Sequence, residues 1–309
     1  MRIIKPSFEI WDQQEGLEGI YKQIERAGRV CYKSEDKITE TSAKEFVERM
    51  IKSGHGAMLE HGTVYLDVPN SAGDYNLVPF FASNPYSRVV IKPSDDRVHN
   101  YVTTNFRVIV ENVAEEYIPD ILQYLCEPTE CHEKRITVRF ICDRGVSHEF
   151  VRHRVFSFAQ ESTRYCNYSK DKFQGVTYIQ PPWLDGDISN EDGSRFNDVY
   201  TDTYLHTLTT AENAYLDLLK QWDNKVPDKR FKSGYKNNPW TPQQARAVLP
   251  NSLKTELVMT GFISDWEHFF KLRDAGNAHP QARELAHPLH MEFLRRNYLV
   301  DLYDEANPD

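Results

Sequence analysis

The sequence predicts an α+β fold, with helices around a central mixed or antiparallel sheet. Stretches of helical periodicity outnumber strand-like ones, the strands fall at irregular intervals, and no short strand–helix–strand units join them, which argues against a doubly wound sheet. At 309 residues, with no internal repeat or low-complexity segment, the chain reads as one elaborated domain over 1–309. Its 40% apolar and 27% charged residues suit a packed globule rather than a disordered chain.

Taken in order, Phe46, Val47 and Met50 recur at helical spacing, with Thr41 or Ser42 as N-cap and Gly54 as the stop before the loop Gly54-His55-Gly56. From Thr63 the pattern alternates: Val64, Leu66 and Val68 on one side, Tyr65 and Asp67 on the other. Similar alternation runs through Val102–Val110 and through Ile136, Val138, Phe140 and Cys142. Between the first two strands, Pro69 to Pro93 reads as a surface excursion, and Val113 to Leu125 as a helix. Asp143 caps a helix carrying Val146, Phe150, Val151 and Val155. A Pro/Gly/Asp loop over Trp183–Asn197 precedes a long helix from about Phe196 to Trp222. Thr241-Pro242 opens another helix, Ser264-Asp-Trp-Glu267 a further one through Leu272, and the last begins near Pro280, with Pro288 expected to kink it.

Lys plus Arg total 37 against 46 Asp plus Glu, a net charge of −9 that argues against a surface for non-specific nucleic-acid or anionic-membrane binding. Met1–Gly16 lacks the apolar run of a signal peptide, and no stretch approaches the ~20 apolar residues of a membrane span, so a cytoplasmic location is expected. Cysteines at 31, 126, 131, 142 and 166 form no disulfide framework and read as reduced thiols.

Positive charge is nonetheless concentrated locally. Arg135, Arg139, Arg144, Arg152, Arg154 and Arg164 face only Asp143, Glu149 and Glu161 between positions 134 and 164. Arginine's planar fork suits bidentate binding of phosphate or carboxylate. Read as successive helix positions, Arg152, His153 and Arg154 fan out so that at least one points into a site. The following run, Val-Phe-Ser-Phe-Ala-Gln160-Glu-Ser162-Thr163-Arg164-Tyr, combines hydroxyl, amide and guanidinium groups with two Phe rings, as a nucleotide pocket would.

Arg152-His153-Arg154, seven residues, then Ser162-Thr163-Arg164, resembles the signature of the flavin-dependent thymidylate synthases. Ala27-Gly-Arg-Val-Cys31, Gly54-His55-Gly-Ala-Met-Leu-Glu60-His61, Gln244-Ala-Arg246-Ala-Val-Leu-Pro250-Asn251, and Trp266-Glu-His268-Phe-Phe-Lys-Leu-Arg273 with Ala278-His279 resemble further motifs of that family, in order. The resemblance implies a homotetramer with active sites at subunit interfaces. It also implies FAD as cofactor, dUMP as substrate, and methylenetetrahydrofolate and NADPH as co-substrates for making dTMP, with no metal. By position, Ser162 and Arg164 would hold the dUMP phosphate, joined by Arg246 from a neighbouring subunit. Thr163, Glu149, Gln160 and Arg152 would also contact dUMP, and Arg273 would be catalytic by polarising the uracil ring. Arg152, His153, Arg154, Gln160, His268 and His279 would contact FAD, with His55 and Glu60 where flavin meets its co-substrates.

The sequence departs from the family pattern at Ala57, where a hydroxyl residue is usual, and at Phe262 and Ser264, where Asn and Arg are usual. The segment from about 68 to 135 reads as an insertion. Rival readings were a Ser162 nucleophile activated by His153, a zinc site at Cys126, Cys131 and His132, and a single-stranded nucleic-acid site with Phe156 and Phe158 stacking bases. Phosphate binding is the preferred role for Ser162, a second ligand pair is missing for zinc, and the acidic total weighs against nucleic acid.

Overall fold

The computed structural model describes residues 1–69, 77–93, 98–184, 199–220 and 239–299. Most of the expected 183–197 loop and both ends of the expected 196–222 helix lie outside these residues. The described strands are β1 (Arg2–Ile4), β2 (Ser7–Trp11), β3 (Thr63–Pro69), β4 (Arg88–Pro93), β5 (Val98–Asn105), β6 (Arg135–Asp143), β7 (Ser157–Gln160), β8 (Thr177–Ile179) and β9 (Lys254–Phe262). The helices are α1 (Gly16–Tyr32), α2 (Ser42–Lys52), α3 (Gly56–Leu59), α4 (Leu77–Ser83), α5 (Phe106–Asn112), α6 (Ile118–Leu122), α7 (Arg144–Phe150), α8 (Val199–Leu219), α9 (Pro242–Ala245), α10 (Ile263–Arg273) and α11 (Pro280–Arg295).

The expected mixture of helices and antiparallel sheet is present. The central sheet, in the order β2-β6-β9-β7, is antiparallel throughout. Val138, Phe140 and Cys142 of β6 and Leu257 and Met259 of β9 turn to one face, where they pack with Phe150, Trp266, Phe269, Leu285, Leu289 and Phe293 from α7, α10 and α11. The Trp266 indole N–H donates to the Ile136 carbonyl at 3.1 Å, so this large buried ring leaves no polar atom unsatisfied. The other face meets α1 through Ala27, Val30, Ala159 and Val258.

A three-stranded antiparallel sheet, β3-β5-β4, packs Val64, Leu66 and Val68 against Ile20 and Ile24 of α1 and Phe46, Val47 and Met50 of α2. The alternation from Thr63 and the spacing in α2 therefore read correctly. Gly28 is required where α1 crosses α2, because a Cβ there would sit 2.5 Å from the Phe46 ring. A parallel pair, β1-β8, lies under α8 and shares the cluster of Tyr178, Leu208 and Tyr215.

Several expectations are corrected. The alternation through Val102–Val110 spans a strand and a helix: β5 ends at Asn105, whose side chain accepts the Val108 N–H at 3.2 Å and starts α5. The expected 113–125 helix is reduced to a 3-10 turn and the short α6, and the 69–93 excursion contains α4 and β4. Asp143 does cap its helix, accepting the Val146 N–H at 2.8 Å, but α7 ends at Phe150 because the chain must turn back to pair β7 with β9. Arg152, His153 and Arg154 therefore occupy a turn, and Val155 is exposed. At α10 it is Asp265 that accepts the Phe262 N–H, at 3.0 Å, while Ser264 bonds Glu133. Pro288 lies inside α11, which spans Pro280–Arg295.

Candidate functional site

The first group of predicted residues meets where α7 and α10 end. Arg273 donates from Nη1 to the Glu149 carboxylate at 2.5 Å, from Nη2 to the Glu149 carbonyl at 2.9 Å, and from Nε to His153 Nε2 at 3.0 Å. A guanidinium can only donate, so His153 Nε2 is an acceptor and the imidazole is the neutral Nδ1–H tautomer. Burial, then the positive charge of Arg273 and the nearby His268, push the His153 pKa down to about 4. The His153 ring lies 5.0 Å from Phe269 and 6.2 Å from His268, which is exposed. Arg152 and Arg154, on either side of buried His153, are exposed and have no acidic partner among the described residues.

A second group forms on the turn after β7. Arg246 Nη1 donates to Thr163 Oγ1 at 2.9 Å, and Arg164 Nε donates to Gln243 Oε1 at 3.0 Å. The Ser162 hydroxyl accepts the Arg164 N–H at 3.3 Å, while the Ser162 N–H reaches the Cys31 carbonyl at 2.9 Å. Ser162 and His153 share no hydrogen bond, so no nucleophile and base are paired here. Arg246 joins this turn within one chain. Gln160, at the end of β7, donates to Ser147 Oγ at 2.9 Å and Thr255 Oγ1 at 3.2 Å, which points it toward α7 rather than into the turn.

Beneath the turn lies a buried charge network. Glu256 accepts from Lys33, Lys254 and Arg139, and Glu161 from Lys254 and the Tyr168 hydroxyl. Burial alone would raise the Glu256 pKa, but Lys254, Lys33 and Arg139 carry it down to about 2. The thiols are poor nucleophile candidates, since burial pushes Cys31 to about 11 and Cys166 to about 12.

A third group surrounds α3. Glu60 accepts from Arg107 Nη1 at 2.6 Å, and its carbonyl accepts from Arg135 Nη1 at 3.0 Å. His55 and Ala57 are exposed. His279, at the start of α11, lies edge-on to Trp183 at 6.1 Å. Phe262 is covered by Arg88, whose guanidinium is 4.4 Å from its ring, so this buried ring is spent on internal packing, while exposed Ser264 bonds Glu133. Sequence reasoning missed Gln243 and Arg107. Gln243 adjoins the quoted Gln244–Asn251 motif and could have been found by extending it one residue; Arg107 sits in the 68–135 segment, where no motif marks it.

The family model described as thymidylate synthase complementing protein, Thy1, matches residues 88–296. Proteins named flavin-dependent thymidylate synthase are similar: that of Mycobacterium avium is 32% identical over 154 residues, covering 50% of this chain and 53% of the relative. That of Corynebacterium diphtheriae is 30% identical over 143 residues, covering 46% and 50%. The chain thus spans about half the length of these relatives. A solved UMP/dUMP methylase, PolB from Streptomyces cacaoi bound with 5-Br UMP, aligns over 96% of this chain and 92% of that one, at 16% identity and a TM-score of 0.41.

Proposed function

The chain belongs to the Thy1 family, the thymidylate synthase complementing proteins, and on that premise we propose that it is a flavin-dependent thymidylate synthase converting dUMP to dTMP. In this reading methylenetetrahydrofolate supplies the carbon, NADPH is the reductant, and the enzyme works in the cytoplasm. When bound, FAD supplies the hydride chemistry that no side chain offers. The residues present fit such a cofactor: Arg152 and Arg154 are exposed cations with no acidic partner among the described residues, beside a buried neutral imidazole, suited to a diphosphate and a flat ring.

The observation that carries the proposal is the convergence of Arg164 and Arg246, 82 positions apart (246 − 164), on the Ser162–Arg164 turn. Two permanent cations and a hydroxyl there can bind a phosphate dianion. Three of the five Arg273 N–H groups are taken by Glu149 and His153, which fixes the plane of the guanidinium and leaves two N–H groups for a pyrimidine carbonyl. A cation held this way favours charge that develops on the ring during reaction. No hydrogen bond or ion pair among the described residues joins the Arg273 group to the Arg164 group, which suits sites completed between subunits of a homotetramer. The strand–helix layer at about 68–135 enters this reading as an elaboration of one domain over 1–309.

The test is a flavin spectrum of the purified protein, followed by dUMP titration and product analysis under anaerobic reduction. Yellow protein whose bands shift with dUMP, and which then yields dTMP, is expected. Absence of FAD binding, or flavin without any dTMP, rejects the proposal.

A further inference from the structure

A cleft of about 640 Å³ lies between the end of α1, the following turn and α2, away from the Arg273 group. Its charge is one-sided. Lys37, Arg49 and Lys172 line it with Asp36 as the one acid, and the fourth cation, Arg29, is matched by Glu25 at 2.7 Å. Arg49 and Lys37 are exposed and have no acidic partner among the described residues; Arg49 lies 5.2 Å from the Phe46 ring. His55 and the hydroxyls of Ser34 and Ser53 complete the wall.

One side of the cleft is aromatic. Tyr32, 40% exposed, lies 5.2 Å from Tyr165, which in turn carries the Arg164 guanidinium 5.4 Å from its ring. The cleft and the phosphate-binding turn therefore share an exposed shelf within one chain. A ligand with a ring over this shelf would place an attached anionic arm among Lys37, Arg49 and Lys172.

We propose that the cleft binds the polyanionic arm of a co-substrate: the carboxylates of a folate glutamyl tail or the phosphates of a nicotinamide dinucleotide. This deepens the thymidylate synthase reading and rests on it for the identity of the co-substrates, but the excess of cations over acids among the described lining residues stands without it.

The experiment uses the FAD-loaded full chain, with Arg49→Glu and Lys37→Glu as variants and far-UV circular dichroism as the fold check. Calorimetry measures binding of tetrahydrofolate monoglutamate against pentaglutamate, and of NADPH against NADH. Each charge reversal should weaken the cleft's ligand about tenfold or more, in a salt-dependent way. Selective loss of the pentaglutamate assigns the arm to folate; selective loss of NADPH assigns it to the dinucleotide phosphates. Changes below about twofold for all four ligands, or FAD content falling in step with co-substrate binding, overturn the proposal. Should the unaltered protein make no dTMP, the function is wrong but the cleft is still tested with triglutamate peptide and inorganic pyrophosphate. Binding of either that Arg49→Glu abolishes supports an anion site, and no binding of either rejects it.

Discussion

Replacing Arg164 or Arg246 by Ala should weaken dUMP binding while leaving FAD content unchanged. Each guanidinium spends one described side-chain hydrogen bond inside the protein, Arg164 on Gln243 at 3.0 Å and Arg246 on Thr163 at 2.9 Å. With five N–H groups apiece, both keep enough donors for a bidentate grip on phosphate. A hydrogen bond to a charged partner contributes about 1.5–3 kcal/mol, which converts to roughly a 10- to 150-fold rise in Kd for each variant. Because both would grip one phosphate, the double variant should lose less than the sum of the singles. The assay is dUMP titration of the flavin spectrum at two salt concentrations, with the loss larger at low salt. Parallel loss of FAD and dUMP would point to misfolding, and a change below about threefold would refute the assignment of the turn to phosphate.

Other outcomes separate the remaining roles. Ser162→Ala should raise the dUMP concentration required yet keep turnover at saturation, whereas Arg273→Ala should depress turnover even at saturating dUMP; steady-state kinetics showing the reverse would exchange the two roles. Since Arg164 and Arg246 meet within one chain, mixing Arg164→Ala with Arg246→Ala should leave the protein inactive, while mixing Arg164→Ala with Arg273→Ala should restore activity if, as proposed, sites form between subunits. Restoration by the first mixture alone would sink that arrangement. Acid should also destabilise the fold through His153: its pKa is lowered from 6.5 to about 4, so the unfolded chain takes up the proton first. Stability present above pH 6.5 is then lost as pH falls toward about 4, by up to about 3 kcal/mol. His61, lowered to about 3 mainly by burial and then by Arg135, titrates in the same range. His153→Gln should therefore flatten the dependence of the urea midpoint on pH by about half; an unchanged slope would place the titrating group elsewhere.

How far the fold could be read depended on whether periodicity was left intact. Val64, Leu66 and Val68 face a dry core on one side, so β3 was visible from its alternation. In β9, Thr255, Glu256 and Thr260 are as buried as Leu257 and Met259, so hydropathy carries no period there and the strand went unseen. β7 is only four residues long and reads as part of a polar loop. The turn at Arg152–Arg154 was mistaken for helix because Val151 and Val155 extend the spacing by chance, while tertiary pairing of β7 ended α7 early. Arg164, Arg246 and Arg273 stood out by chemistry and motif, and their roles in a site rest on the proposed function. What was not legible was their grouping: that Arg246 meets Thr163 in the same chain, and that Arg107 holds Glu60, depend on contacts between distant segments.

Lys33 joins two demands that pull in opposite directions. As the cap of α1 it adopts φ 48°, a left-handed conformation that disfavours any side chain and costs on the order of 1 kcal/mol relative to Gly. Its ammonium nevertheless reaches Glu256 at 2.9 Å, and that side chain is only 4% exposed. Glycine would relax the backbone but deprive a buried anion of one of its cations, a loss that outweighs the relief. The end of α1 is therefore tied to β9, and Tyr32, which adjoins Lys33, and Ser162, whose N–H donates to the Cys31 carbonyl at 2.9 Å, are carried on a common rigid frame. Nucleotide and co-substrate would then meet surfaces whose separation was set when the chain folded, with little ordering left to be done on binding.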